Sequence, residues 1–327
     1  MRPFCAAVVV LLVLAGDCGD GDADGGGRGG GSAGSAEAGA ASATAGATAA
    51  RAAKAGTATV LPYVDVAAGS DLAAVTAATG QKDFTAAFVL AAGATECTPT
   101  WAGTTAIDDA EIAAGLAAIG GEVAVATGGA DGTYLEAVCD AGELTAAYET
   151  ALDAAGSNHL DVDVLVNPDQ GFDTDTVIEA LAALQEERDT VITLTVPMAD
   201  DGSGLDEAGT ALLTSATAAG LDVTVNVLTM NLEEGTSLTE AAETVRPKIA
   251  KLSVTPMIGV NDSGAVTTLA DARDLLDYAA ANDLAAVRFW SVDRDDGGCP
   301  DGTLTSTCSG ITQDDYAFTE LFSTFTP

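Results

Sequence analysis

The residues best suited to chemistry lie in one run, Asn158-His159-Leu160-Asp161-Val162-Asp163-Val164-Leu165-Val166-Asn167. Aspartates stand at 161 and 163, and aliphatic residues at 160, 162, 164 and 166. In a strand, residues two apart share a face. Asp161, Asp163 and Leu165 therefore point one way, and Leu160, Val162, Val164 and Val166 the other. Helical segments flank the run on both sides, which predicts a strand of a parallel α/β sheet with both faces covered. Two carboxyl groups on a covered face cost free energy unless they are paired or serve a site. Carboxyl groups so placed can hold or hand over a proton, and the run is the candidate site.

The surrounding chain repeats a strand-then-helix rhythm from Thr57 to Pro327. Strands are expected over Val60–Val66, Phe84–Leu90, Glu122–Thr127, His159–Val166, Val191–Val196, Asp222–Leu228, Leu252–Thr255 and Val287–Trp290. Ala-, Leu- and Glu-rich stretches with helical spacing lie between them, such as Asp175–Glu187, Asp206–Ala219 and Leu269–Ala281. Eight strands alternating with helices over about 250 residues is the count of a (β/α)₈ TIM barrel. A doubly wound open sheet would carry a Gly-rich phosphate loop after its first strand, and Ala67-Ala68-Gly69-Ser70 is not one. Function in such barrels sits at the carboxyl ends of the strands.

Read at those ends, the chain resembles glycoside hydrolase family 18, the chitinase family. The run at 158–165 is similar to that family's D-x-x-D-x-D-x-E signature, with Asn158, Asp161 and Asp163 at the acid positions and Leu165 where the catalytic Glu stands. Ala126-Thr127-Gly128-Gly129 resembles S-x-G-G, with Ala126 at the Ser position. Met230-Asn231-Leu232 resembles the end of M-x-M-D-Y, with Asn231 for Asp and Leu232 for Tyr. The segments 254–262 and 288–300, the latter with Trp290 at the end of the last strand, complete a resemblance that covers everything after the first 56 residues.

The resemblance implies a mechanism and also what is missing from it. In the family, Glu protonates the leaving oxygen and the substrate's own N-acetyl oxygen attacks, without an enzyme nucleophile. The preceding Asp holds the acetamido group and the Tyr donates to the same oxygen. Leu165 cannot donate a proton, Leu232 cannot replace the Tyr, and Asn231 loses the charge. General acid catalysis is worth about 10²–10⁴-fold, so the expectation is an inactive barrel that keeps sugar binding. Asp163, Met230, Asn231 and Trp290 would then contact chitin or an N-acetylglucosamine oligosaccharide, with Trp101 extending the apolar surface. Two alternatives stand: a glycosidase using a displaced carboxylate, with Glu233 and Glu234 as candidates, and a surface scaffold without a sugar ligand.

Composition bounds the rest. There are 12 Lys+Arg against 49 Asp+Glu in 327 residues, a formal charge of −37, which excludes general nucleic-acid or anionic-membrane binding. The acids are spread along the chain, as on a salt-adapted surface or an acidic secreted protein. Residues 1–18 read as an export signal: Arg2 precedes the apolar run from Ala6 to Gly16, too short for the roughly 20 residues of a span. Cys18 resembles a lipoprotein acylation site, although Asp17 separates it from the small residue; cleavage and release is the alternative. Residues 19–56 read as a low-complexity tether without aromatics, and 57–327 as the barrel. Cys97, Cys139, Cys299 and Cys308 are expected as disulfides in an exported domain. Cys299 and Cys308 flank a short Pro/Gly/Thr loop and are paired, with Cys97 joined to Cys139, and the family resemblance implies the same pairing. No C-x-x-C occurs and His159 is the only His, so no metal or other cofactor is expected. Asn261-Asp262-Ser263 fits a glycosylation sequon. The expectation is an extracellular monomer, secreted or lipid-anchored.

Overall fold

A computed structural model describes residues 57–167 and 169–327. The expected export signal with Cys18 and the tether over 19–56 lie outside the described residues. Twelve strands follow in chain order: β1 (Tyr63–Asp65), β2 (Phe84–Gly93), β3 (Glu96–Trp101), β4 (Thr105–Ala106), β5 (Val123–Gly128), β6 (His159–Asp163), β7 (Val191–Pro197), β8 (Val223–Leu228), β9 (Leu252–Thr255), β10 (Gly259–Val260), β11 (Val266–Thr267) and β12 (Ala286–Val287). The α-helices are α1 (Leu72–Thr79), α2 (Ala110–Ile119), α3 (Leu135–Val138), α4 (Ala141–Ala155), α5 (Thr174–Arg188), α6 (Glu207–Ala218), α7 (Leu238–Val245), α8 (Leu269–Ala281) and α9 (Ala317–Phe322).

Eight parallel strands close a barrel in the order β1-β2-β5-β6-β7-β8-β9-β12. Closure comes from the segment entering β1: Leu61 N–H donates to Val287 O at 3.1 Å, and Tyr63 N–H to Phe289 O at 3.0 Å. This is the expected (β/α)₈ TIM barrel. The sequence did not suggest the antiparallel extension of β2 by β3 and β4, or the β10–β11 hairpin after β9. β4, β10 and β11 have only two residues each, and six-residue β3 carries Pro99, a residue of sheet edges.

Part of the chain's acidity works locally as helix caps. Asp71, Asp109, Asp140, Asp173 and Asp206 accept backbone N–H groups at the starts of α1, α2, α4, α5 and α6. Each such cap typically contributes about 0.5–2 kcal/mol. The outward faces of the strands, with Val125, Leu160, Val162, Leu194, Val227 and Val254, form one buried cluster with helix residues such as Leu144, Leu181 and Leu275. The inward faces differ from the branched-aliphatic filling usual in such barrels. Tyr63, Thr85, Asp161, Thr193, Thr195, Asn226, Thr255 and Arg288 are all buried there and bonded to one another.

Candidate functional site

The two strand acids have opposite surroundings. Asp161 is saturated with donors: Tyr63 OH and Arg288 Nη1 reach its Oδ2 at 2.6 and 2.9 Å, and Thr195 Oγ1 donates to Oδ1 at 2.6 Å. Arg288 also donates to Thr85 and Thr193, and its guanidinium lies 5.8 Å from the Tyr63 ring centre. Burial pushes the Tyr63 hydroxyl well above its usual range, with the Asp161 charge adding to the effect. Asp161 is thus the acceptor at the centre of a buried lattice that continues through Asn226 to Thr255.

Asp163 lies one turn of the pleat further on, towards the carboxyl end. It is buried, and its Oδ1 has no hydrogen-bond partner among the described residues. Burial pushes its carboxyl well above the usual range, and the neighbouring charges of Asp161 and Glu136 push the same way. Its backbone carbonyl accepts from Gly129 N–H at 2.8 Å. The glycine pair is required here. Both glycines have φ near +90°; a Cβ on Gly128 would stand 2.0 Å from Asp163 O, and one on Gly129 would meet the Phe88 ring.

Sequence reasoning missed Glu136, the third acid of this neighbourhood. It is buried on α3, accepting from Thr127 Oγ1 at 2.6 Å and Tyr148 OH at 2.7 Å, with Oε2 unpartnered. Burial raises its pKa, against the two hydroxyl donors. A four-residue helix leaves no periodic signal from which to place it.

β6 ends at Asp163, two residues before Leu165. Leu165 is half-buried in the bend that follows and packs on the main hydrophobic cluster. Ala126 is buried beside Tyr63 and Ala87, with Phe88 and Trp290 over them. Trp290 is half-buried, stacks on Phe88 at 5.6 Å and 24°, and meets Tyr63 at 5.9 Å and 56°. Tyr63 and Phe88, which the sequence reasoning did not select, therefore share this aromatic floor with Trp290. The Ala87–Phe88 and Trp290–Ser291 peptides are cis.

The end of β8 reaches elsewhere. Met230 is half-buried, and Asn231, at φ 56°, is clasped to the loop after β10. Its Nδ2 donates to Asp262 Oδ2 at 2.9 Å, its Oδ1 accepts from Asp262 N–H at 2.9 Å, and its own N–H donates to Asn261 Oδ1. Leu232 is buried in the core.

Other candidates resolve into structure. Trp101 is buried at the end of β3 and donates Nε1–H to Ile107 O at 3.1 Å, so it does not extend an exposed sugar surface. His159 is satisfied at the opposite end of β6, by Glu122 at 2.8 Å and Thr193 at 2.9 Å. Asn158 ties β6 to Arg188, Asp189 and Thr190. Asn261 spends its Nδ2 on Met257 O and Gly259 O, so the sequon's nitrogen is buried and engaged. Cys97 is joined to Cys139, and Cys299 to Cys308. Glu233 and Glu234 line a separate cavity on the carboxyl-terminal side. No cluster of metal-ligating side chains occurs among the described residues.

No family model matches the sequence. Among curated proteins, the chain is 29% identical to a "Probable bifunctional chitinase/lysozyme" of Escherichia coli over 81% of its length, and 28% identical to "Endochitinase 11" of Metarhizium anisopliae over 72%. It spans 34% and 52% of those relatives. Among solved structures it superposes on the catalytic domain of a hyperthermophilic chitinase from Pyrococcus furiosus with a TM-score of 0.73 and 30% identity, covering 82% of this chain and 95% of that one. Active domain 2 of the Pyrococcus enzyme, in a form with catalytic-site mutations complexed with chito-oligosaccharides, matches equally well. With the barrel, the paired glycines under Asp163 and the Trp290 floor in place, the chain belongs to glycoside hydrolase family 18, the chitinase family.

Proposed function

We propose that this chain binds chitin or N-acetylglucosamine oligosaccharides without hydrolysing them efficiently, and does so outside the cell. One observation carries the proposal. Leu165 occupies the sequence position of the proton donor and is half-buried against the hydrophobic core, while Asp163 and the Trp290–Phe88 floor remain. A buried carboxyl with an unpartnered oxygen suits the acetamido group of a bound sugar, whose N–H can donate to it. The Trp290 face supplies apolar contact to a pyranose ring. The likeness to a Pyrococcus domain whose structure contains chito-oligosaccharides supports a carbohydrate ligand. Retention on colloidal chitin, weakened in Trp290→Ala, is the expected result; no retention of the parent protein would end the proposal.

A second reading is favoured by Asp163 and Glu136, two neighbouring buried carboxyls with raised pKa. Asp163, at the carboxyl end of β6, is the one placed to supply a proton in place of the missing Glu, with Glu136 behind it held by Thr127 and Tyr148. Release of a chromophore from an N-acetyl-chitobioside that survives Leu165→Ala but is lost in Asp163→Ala would establish hydrolysis by a displaced acid. For the proposed location, a Cys18→Ser variant that leaves the membrane fraction would show the lipid anchor, and a wild-type protein found free in the medium would show release.

A further inference from the structure

A cavity of about 510 Å³ opens between the loop after β8 and the β10–β11 hairpin, beside the starts of α7 and α8. Its walls carry Glu233, Glu234, Asp271 and Asp274, and no Lys, Arg or His. Asp271 is engaged as a cap of α8, but the side chains of Glu233, Glu234 and Asp274 make no hydrogen bond or ion pair among the described residues. A second observation points to a ligand. Thr229 lines the same cavity, is fully buried, and its Oγ1 has no partner. A buried hydroxyl without a partner calls for an explanation, and a polar atom bound in the cavity would supply one. Val266, one of two exposed large hydrophobic residues among those described, stands in the same wall.

These walls suit an occupant that carries positive charge, a polar group for Thr229 and some apolar surface. Met230 joins this cavity to the end of β8, on the face where the sugar floor lies. The groups that the family resemblance assigns to reading the N-acetyl oxygen are diverted here: Asn231 is clasped to Asp262 and Leu232 is in the core. We propose that the cavity takes the protonated amine of an amino sugar, so that the preferred ligand is a glucosamine-containing, partly deacetylated chain rather than fully acetylated chitin. This rests on the carbohydrate-binding reading above and narrows its ligand.

The test is calorimetric titration of the whole protein with a glucosamine oligosaccharide and its fully N-acetylated counterpart of equal length, at a pH where the sugar amine is protonated. The glucosamine chain should bind at least about tenfold more tightly at ~0.1 M salt, where screening acts over about 10 Å, and the gap should close near 1 M, where it acts over about 3 Å. Glu233→Gln/Glu234→Gln should remove most of the gap. Glu186→Gln/Glu187→Gln makes the same charge change at two exposed positions near the far end of α5 and should leave it intact. Equal loss in both double variants would show general attraction to an acidic protein and overturn the proposal. Equal affinity for the two sugars would overturn it while leaving the carbohydrate reading standing. Glucosamine binding that persists in Trp290→Ala but fails in Glu233→Gln/Glu234→Gln would support the cavity and count against the Trp290 floor.

Discussion

Replacing Arg288 with Met should cost this barrel a large part of its stability. The Arg288 and Asp161 side chains are 1% and 0% exposed, and their contact is 2.9 Å. The variant removes the only cation facing Asp161 among the described residues and leaves the carboxylate with two hydroxyl donors, Tyr63 and Thr195. Removing one partner of a buried ion pair costs about 3–5 kcal/mol, chiefly because the other charge stays buried without compensation. Domains of this kind have about 5–15 kcal/mol in total, so at least a fifth of the stability is at stake. At about 2–4 °C per kcal/mol for a domain of this size, the midpoint should fall by roughly 6–20 °C. Urea unfolding of Arg288→Met, Asp161→Asn and the double variant measures it. The double variant should be more stable than the sum of the single losses predicts, by about 0.5–3 kcal/mol, because it removes both charges together. A single-variant loss below about 1 kcal/mol, or strict additivity, would show that the pair does not hold the barrel interior.

Asp163→Asn should behave in the opposite sense. The folded state holds the Asp163 proton more tightly than the unfolded chain does, so that contribution is complete below the unfolded pKa of about 4 and is lost as pH rises through the folded value. The Asn variant does not titrate; it should match the parent near pH 4 and exceed it at pH 8, by about 1.4 kcal/mol for each unit by which the carboxyl is raised. A pH-independent difference in urea midpoint would refute this. Opening Cys97–Cys139, 42 positions apart in sequence, should cost about 4 kcal/mol on chain entropy, against about 2.6 for Cys299–Cys308, 9 apart; Cys-to-Ala pairs compared by thermal unfolding should preserve that order. Leu165→Glu should leave chromogenic chitobioside hydrolysis near background, since Asn231 and Leu232 remain engaged elsewhere; efficient turnover would show that one side chain was all that was missing.

The barrel was legible because its two periods are clean. Leu269–Ala281 was expected as a helix and is α8 to the residue, and each of the eight barrel strands overlaps its expected run, although β2 extends three residues further and β12 shares only Val287 with it. Of the additional strands, β4, β10 and β11 have two residues each, too few side chains to alternate, and six-residue β3 carries Pro99, which argues against a strand. Of the candidate site, the Asp161–Asp163 alternation could be read from spacing, whereas Trp290 was singled out only through the family resemblance. Arg288 could have been: a charge between Val287 and Phe289 in an apolar strand calls for a buried partner. Tyr63 and Phe88 could not, because an aromatic in a buried strand has the same pattern whether it packs in the core or floors a pocket. Trp101 shows the converse, as its position after Cys97 fitted a pocket wall and it is core.

The two acids of β6 looked equivalent in sequence, and the burial argument treated them alike: a carboxyl on a covered face must be paired or must serve a site. The structure divides that alternative between them. Asp161 is paired, with three donors including a guanidinium, and nothing about it requires a ligand. Asp163 is equally covered and has been given no donor for Oδ1. Burial raises its pKa, which favours the uncharged form and lowers the cost of covering it. An unpartnered carboxyl oxygen in the barrel interior is open to a hydrogen bond with a bound polar group, and it needs no Glu beside it for that. Loss of the proton-transfer position and retention of the binding position are therefore separable in this fold, which is why a chain with Leu165 can still be expected to hold a sugar.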